Sequence, residues 1–205
     1  MGARPSRAFT AEDELGALSS CRRQGERAHL LLTGRGDGAT WTDALEPDGS
    51  GRHRVLANRY YCADVAWSPD GRKIAYVGIA QQARQSADGQ VHFGIYVAGP
   101  NGSHAHLLAE GLNDEWPAWS PDGKRIVFVS TQDRPGVKNC LAGWDVSTSC
   151  PTDIYVMNAD GTGTRRLTHD PATEYAPAWS PPTARASLLS ATCVTGRDVL
   201  SRRST

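Results

Sequence analysis

The chain has 205 residues, 39% of them hydrophobic, enough for a globular domain with a core of its own. Lys plus Arg total 22 and Asp plus Glu total 22, so no net field steers the protein to nucleic acid or to an anionic lipid surface. No apolar run approaches the ~18 residues of a membrane span, and the early arginines Arg4 and Arg7 have no apolar stretch behind them, so no signal peptide is legible.

Residues 1–27 stand outside the repeats that fill the rest of the chain. Thr10 with Asp13 three positions on resembles a helix-start capping pair, followed by Glu14, Leu15 and Leu18. The pattern predicts a short helix over about 11–20 and a polar linker from Arg22 to Arg27. From His29 onward short apolar runs alternate with Gly, Asp and Pro, which is all-β patterning. His29–Thr33 reads as a strand, Gly34–Gly38 as a turn, Trp41–Leu45 as a strand, Pro47–Ser50 as a turn and Arg52–Leu56 as a strand. The Arg35-Gly36-Asp37 tripeptide falls in the first of those turns and is read as turn rather than as adhesion motif.

Two phrases then recur. Ala66-Trp67-Ser68-Pro69-Asp70-Gly71 returns as Ala118-Trp119-Ser120-Pro121-Asp122-Gly123, and a broken third copy stands at Ala178-Trp179-Ser180-Pro181. The strand-like runs Ile74-Ala75-Tyr76-Val77 and Ile126-Val127-Phe128-Val129 come after the two intact copies. The second phrase is Pro47-Asp48-Gly49-Ser50, then Pro100-Asn101-Gly102-Ser103, then Ala159-Asp160-Gly161-Thr162, with Val55, Leu108 and Leu167 seven positions after the Asp or Asn. Asp-Gly and Asn-Gly tolerate positive φ, so these are hairpin turns.

Spacing shows which connections vary. Thr42 to Trp67 is 25 residues, Ile95 to Trp119 is 24 and Ile154 to Trp179 is 25, whereas Trp67 to Ile95 is 28 and Trp119 to Ile154 is 35. The insertions, at 79–92 and 131–152, come after the same strand of each unit and so belong to one face of a stacked or radial array. Four short strands per unit, at a period of roughly 50–60 residues, is the pattern of a β-propeller blade, and about three blades are present. The run Pro117-Ala118-Trp119-Ser120-Pro121-Asp122-Gly123-Lys124-Arg125-Ile126-Val127-Phe128 carries a family resemblance, together with Asp153-Ile154-Tyr155-Val156-Met157-Asn158-Ala159-Asp160-Gly161-Thr162 and Arg165-Arg166-Leu167-Thr168. It resembles the TolB-like (WD-like, Ser-Pro-Asp-Gly) propeller repeat over residues 28–181. The resemblance implies a non-enzymatic, periplasmic or other extracytoplasmic scaffold that presents loops to a protein partner. Similar repeats also occur in the propellers of prolyl-oligopeptidase-like serine peptidases, the alternative reading, and a sugar-binding or sugar-cleaving propeller is a third.

The repeated residues are expected to be structural. Trp67, Trp119 and Trp179 read as wedges that pack one blade on the next. Pro69 and Pro121 preset φ, Gly71 and Gly123 take the left-handed position, and Asp70, Asp122 and Asp160 accept turn N–H bonds, with Gly161 in the second phrase. Tyr96 and Tyr155 occupy matching strand positions and read as packing. Trp116, Trp144 and Tyr175 lie at strand ends or in an insertion and are the candidates for the rim of an interaction surface.

The catalytic reading is negative. There is no Gly-x-Ser-x-Gly elbow, HExxH or phosphate loop. His104 and His106 share a strand face without a third ligand, and no cofactor or metal site is legible. Five cysteines (Cys21, Cys62, Cys140, Cys150, Cys193) form no CxxC, and Cys140 with Cys150 is either a loop disulfide or a pair of thiols.

After Pro181 the repeat should continue Asp-Gly-x-x-Ile-Ala-Phe, and instead the chain reads Pro182-Thr183-Ala184-Arg185-Ala186-Ser187-Leu188-Leu189. Those residues can be encoded CCG ACG GCA CGC GCA TCG CTT TTG, and from the third base the same stretch reads Asp-Gly-Thr-Arg-Ile-Ala-Phe. Residues 182–205 are therefore expected to be an out-of-frame tail, and the chain a portion of a larger propeller. Three blades leave open edges, which also predicts self-association through them.

Overall fold

The computed structural model describes residues 18–21, 29–36, 39–58, 62–79, 92–111, 113–133, 151–169, 171, 173–180 and 188–191, and every regular element among them is a β-strand. In chain order they are β1 (Leu18–Cys21), β2 (His29–Gly36), β3 (Ala39–Leu45), β4 (His53–Asn58), β5 (Cys62–Trp67), β6 (Ile74–Ile79) and β7 (Phe93–Ala98). Then come β8 (His106–Gly111), β9 (Glu115–Trp119), β10 (Arg125–Ser130), β11 (Asp153–Asn158), β12 (Arg165–Arg166), β13 (Tyr175–Trp179) and β14 (Leu188–Ala191). They pair as antiparallel meanders: sheet 1 is β1-β2-β3-β4, sheet 2 is β5-β6-β7-β8, sheet 3 is β9-β10-β11-β12, and sheet 4 is the pair β13-β14. Among the described residues no strand pairing joins sheet 4 back to sheet 1, so the array is open.

Two local expectations are corrected. Leu18–Cys21, placed partly in a helix by its capping pattern, is a strand paired with His29–Leu32. A continuous ladder with β2 satisfies its backbone and overrides a weak helix-start signal, while residues 11–17 lie outside the described residues. β1 also lies before the boundary expected at residues 27/28 and pairs across it. Gly34, expected in a turn, sits inside β2 opposite Trp41, whose indole atoms lie 2.8 Å from where a Cβ would stand. That glycine makes room for a cross-strand tryptophan.

The sheets stack through continuous apolar layers. Between sheets 1 and 2, Leu31, Val55 and Leu56 meet Val65, Ile74 and Tyr76. Between sheets 2 and 3, Val77, Ile95 and Val97 meet Trp119, Ile126, Phe128, Tyr155 and Met157. Val127, Val129 and Ile154 carry the pattern to Trp179 of sheet 4. Sheet 3 turns its large buried side chains toward sheet 2 and its smaller buried aliphatic ones toward sheet 4. Phe128 and Tyr155 stack at 5.7 Å and Tyr76 and Tyr96 at 5.5 Å in the same cross-strand register. Burying each such side chain contributes about 1.5–3 kcal/mol.

The repeated turns are built alike. Ser68 Oγ donates to Asp70 Oδ1 at 2.6 Å, Arg72 N–H donates to the same oxygen at 3.0 Å and Lys73 N–H to Ser68 Oγ at 2.9 Å. In the second copy Ser120 Oγ and Lys124 N–H donate to Asp122 Oδ1 at 2.6 and 3.1 Å, and Arg125 N–H to Ser120 Oγ at 2.9 Å. Asp160 Oδ1 accepts from Thr162 N–H at 2.9 Å in the other turn type. These bonds hold the Asp70, Asp122 and Asp160 carboxyls below their ordinary range. Gly102 (φ 77°) and Gly161 (φ 85°) each press on the last strand of the sheet before, against Val55 O and Leu108 O respectively. Gly49, at the same place in sheet 1, has nothing within 4 Å of a built Cβ.

Candidate functional site

The first strand of each repeat carries a defect that periodicity does not reveal. Three residues before each repeated tryptophan the backbone is left-handed: Asp64 (φ 48°), Trp116 (φ 56°) and Ala176 (φ 43°). At each place the ladder slips, between Ala63 and Ala66, opposite Val127–Val129, and between Tyr175 and Ala178. A non-glycine bulge of this kind is strained and re-aims side chains. It sits where each first strand begins, at the same edge from which the insertions 79–92 and 131–152 depart. The Ser-Pro-Asp-Gly turns lie at the opposite edge.

Around the second bulge three carboxyl groups gather. The half-buried Asp64 of β5 accepts the N–H of Trp116 from β9, a bond that crosses from sheet 2 to sheet 3, and burial pushes its carboxyl up to about 6. Glu115 accepts from the Trp116 indole; burial first, then the Asp64 charge, raise it to about 8. Asp114 is 0% exposed, and neither of its oxygens makes a hydrogen bond of normal geometry. Burial drives it to about 7, with Glu110 pushing the same way and the nearby Ser130 hydroxyl and Gly111 N–H partly offsetting. Asn113 Oδ1 and Thr131 Oγ1, both buried, also lack partners among the described residues.

The equivalent seam between sheets 3 and 4 is satisfied. Glu174 stands where Asp114 stands; its Oε2 accepts from Thr168 Oγ1 at 2.8 Å, and its backbone makes two bonds with Thr152 Oγ1, at 2.5 and 2.9 Å. Thr168 Oγ1 in turn accepts Ile154 N–H at 2.9 Å. Asp153, 1% exposed, is bridged by Arg166 at 2.7 Å.

Of the residues singled out in the sequence, Trp116 lies in the carboxyl cluster itself, and Tyr175 begins the next first strand at the same edge. Trp144 and the Cys140–Cys150 pair lie outside the described residues. Trp119 is 8% exposed and Trp67 and Trp179 are half-buried, each at a seam. Tyr155 is fully buried, its hydroxyl donating to Asp133 Oδ2 at 2.8 Å. Asp70, Gly71, Asp122, Gly123, Asp160 and Gly161 stay with the turns, away from the cluster. At their edge a cavity of about 520 Å³ opens between the two Ser-Pro-Asp-Gly turns, lined by Pro69, Arg72, Lys73, Trp119 and Pro121. Sequence reading missed Asp64, Asp114, Glu115 and Glu174, although all stand three to five positions before a repeated tryptophan, where a column-by-column comparison shows acids accumulating.

Chemically the cluster can hold protons or meet a positively charged group. Among the described residues no three His, Cys, Asp or Glu side chains converge in metal-binding geometry, and no helix is long and apolar enough to cross a membrane. Cys62, 1% exposed, has its thiol pushed up to about 12 by burial, so it is not an activated nucleophile.

No family model matches the chain. It is 30% identical over 154 residues to the Tol-Pal system protein TolB of Anaeromyxobacter sp. (strain K), an alignment covering 75% of this chain and 29% of that protein. It is 32% identical over 119 residues to the uncharacterized peptidase YuxL of Bacillus subtilis (strain 168), covering 58% of this chain and 15% of that one. The structure of a putative TolB from Agrobacterium tumefaciens matches with a TM-score of 0.55 at 21% identity, covering 73% of this chain and 45% of that one, a likeness of fold. The chain thus spans less than a third of the length of the curated TolB it matches.

Proposed function

We propose, from the premise that this chain is built of TolB-like β-propeller blades, that it is a non-enzymatic interaction module that binds a protein partner through its insertion-bearing edge. The observation that carries this reading is the character of that edge. It combines the variable insertions, the strained bulges, and Trp116 with three half-buried or buried carboxyls, whereas the turn edge is uniform and internally bonded. Function in repeat arrays concentrates where insertions project. The similarity to a Tol-Pal system protein favours an extracytoplasmic setting and a protein ligand.

A second reading, favoured by the similarity to a peptidase, is the propeller of a serine peptidase whose hydrolase domain lies elsewhere in a longer parent. We further propose that residues 28–181 are the repeat domain and 182–205 an out-of-frame tail. In support, β14 pairs Leu188 with Trp179, nine positions away, where Ile74 and Ile126 pair with Trp67 and Trp119 at seven.

One experiment separates these readings. The coding DNA is read in all forward frames past Ser180, and the restored-frame protein is expressed. Further Ser-Pro-Asp-Gly blades running to a stop codon support the scaffold. A Gly-x-Ser-x-Gly elbow, with hydrolysis of peptide substrates, overturns it in favour of the peptidase. Absence of blades in every frame overturns the out-of-frame tail.

A further inference from the structure

The seam between sheets 2 and 3 concentrates acid groups with no salt bridge to any of them among the described residues. Asp64 comes from the first strand of sheet 2, and Asp114 and Glu115 from the entry to the first strand of sheet 3. Gly111, which ends sheet 2, lies so close to Asp114 that a Cβ there would overlap its carboxyl oxygens. The acid is therefore wedged between the last strand of one sheet and the first strand of the next, with no normal hydrogen bond to hold its charge. The groups facing the cluster do not neutralise it. From β8 comes Glu110, whose own neighbour is His92 Nδ1 at 3.8 Å. From β5 comes Cys62, which has Asp64 as its charged neighbour and is itself neutral, its ionised form suppressed by burial. From β10 comes the Ser130 hydroxyl, and across the next seam Glu174 is already engaged by Thr168.

We propose that this seam is a proton-operated latch: with its carboxyls protonated, sheets 2 and 3 close on one another, and when Asp64, Asp114 and Glu115 ionise, their repulsion loosens the first strands β5 and β9 and opens the insertion-bearing end of the seam. The direction of the charge effects agrees. All three carboxyls are raised above the ordinary carboxylate values, to about 6, 7 and 8. A group that binds its proton more tightly folded than unfolded stabilises the fold at low pH, and that stability is lost as pH rises through the shifted values. The turn carboxyls Asp70, Asp122 and Asp160 are lowered, so their contribution is lost only in acid, below about pH 4. The two sets together place maximal stability in mildly acid solution.

The test uses the full 205-residue chain, the Asp114→Asn variant and the Glu115→Gln variant. Thermal unfolding and amide hydrogen exchange, the latter corrected for its intrinsic pH dependence, are followed from about pH 4.5 to 8.5. The wild type is expected to lose melting temperature between about pH 5 and 8, and the amides of β5 and β9 to lose at least ~tenfold more protection than those of β10 and β11. Each variant is expected to flatten both trends; if Asp114→Asn fails to fold, Glu115→Gln carries the comparison. A melting temperature that does not fall over this range overturns the latch, as does an undiminished fall in a folded variant or an equal loss of protection in all strands.

Discussion

The two seams that flank sheet 3 share a backbone and differ in almost everything placed on it. Each has a left-handed residue three positions before its tryptophan and an acid five positions before it. At the seam with sheet 4, Trp179 donates its indole N–H to Ala118 O at 3.1 Å, the Arg125 guanidinium lies 5.0 Å over its ring, and Glu174 is bonded. At the seam with sheet 2, among the described residues the Trp119 indole N–H has no partner and Asp114 makes no hydrogen bond of normal geometry, while Lys73 stands where Arg125 stands. The repeat therefore specifies where sheets meet, while the identity of a few side chains decides whether the buried polar groups at a seam are satisfied or left without full hydrogen bonding. Closed seams make a scaffold; a seam with buried, unsatisfied acid can respond to its surroundings.

The largest way to sharpen the contrast is truncation of the two tryptophans. Trp119→Ala removes a side chain 8% exposed from the layer between sheets 2 and 3 and should lower stability by ~3–5 kcal/mol in urea unfolding. Trp179→Ala, half-buried, should lose about 2 kcal/mol, much of it from the bond to Ala118 O. Equal losses would mean that sheet 4 is as integral as sheet 3. Next in size is Asp122→Ala, which strips two hydrogen bonds from an exposed turn and should cost about 1 kcal/mol. An unchanged melting temperature would remove Asp122 from the turn's support. Glu174→Ala should remove the bond from Thr168 Oγ1 and cost about 1 kcal/mol in urea unfolding; an unchanged midpoint would erase the distinction between the seams. The smallest change is a gain. Lys73→Arg should supply the missing guanidinium over Trp119 and raise stability by ~0.5 kcal/mol, read as a small upward shift in melting temperature.

How much was legible in the sequence depends on the kind of information repeats encode. Trp-Ser-Pro-Asp-Gly and Asp-Gly turns depend on local backbone chemistry, and the alternating runs between them depend on burial at period two, so strands, turn bonds and sheet stacking could all be read in order. β1 could not, because Leu18–Cys21 is a strand only through its pairing with β2, and nothing local marks it. The role of Gly34 was hidden likewise: its reason is Trp41 on the neighbouring strand. The site was only partly visible. Trp116 and Tyr175 were picked out as aromatics at strand ends, but the acids beside them matter because two sheets bring Asp64 against Glu115, 51 positions away in the sequence. Hairpin patterning carries no information about that distance.

One small asymmetry bears on how such a chain comes to be assembled. Gly102 and Gly161 each rest on the sheet made before their own, and Gly49 rests on nothing. Each new meander thus finds its docking surface already synthesised, and none waits for residues still to come. Nearest-neighbour arrays with that polarity are suited to vectorial folding as the chain leaves the ribosome, since each completed sheet can dock on the one before it. Stalled chains ending after residue 111 should then resist protease over sheets 1 and 2, and rapid digestion of both would show that the early sheets need the later ones.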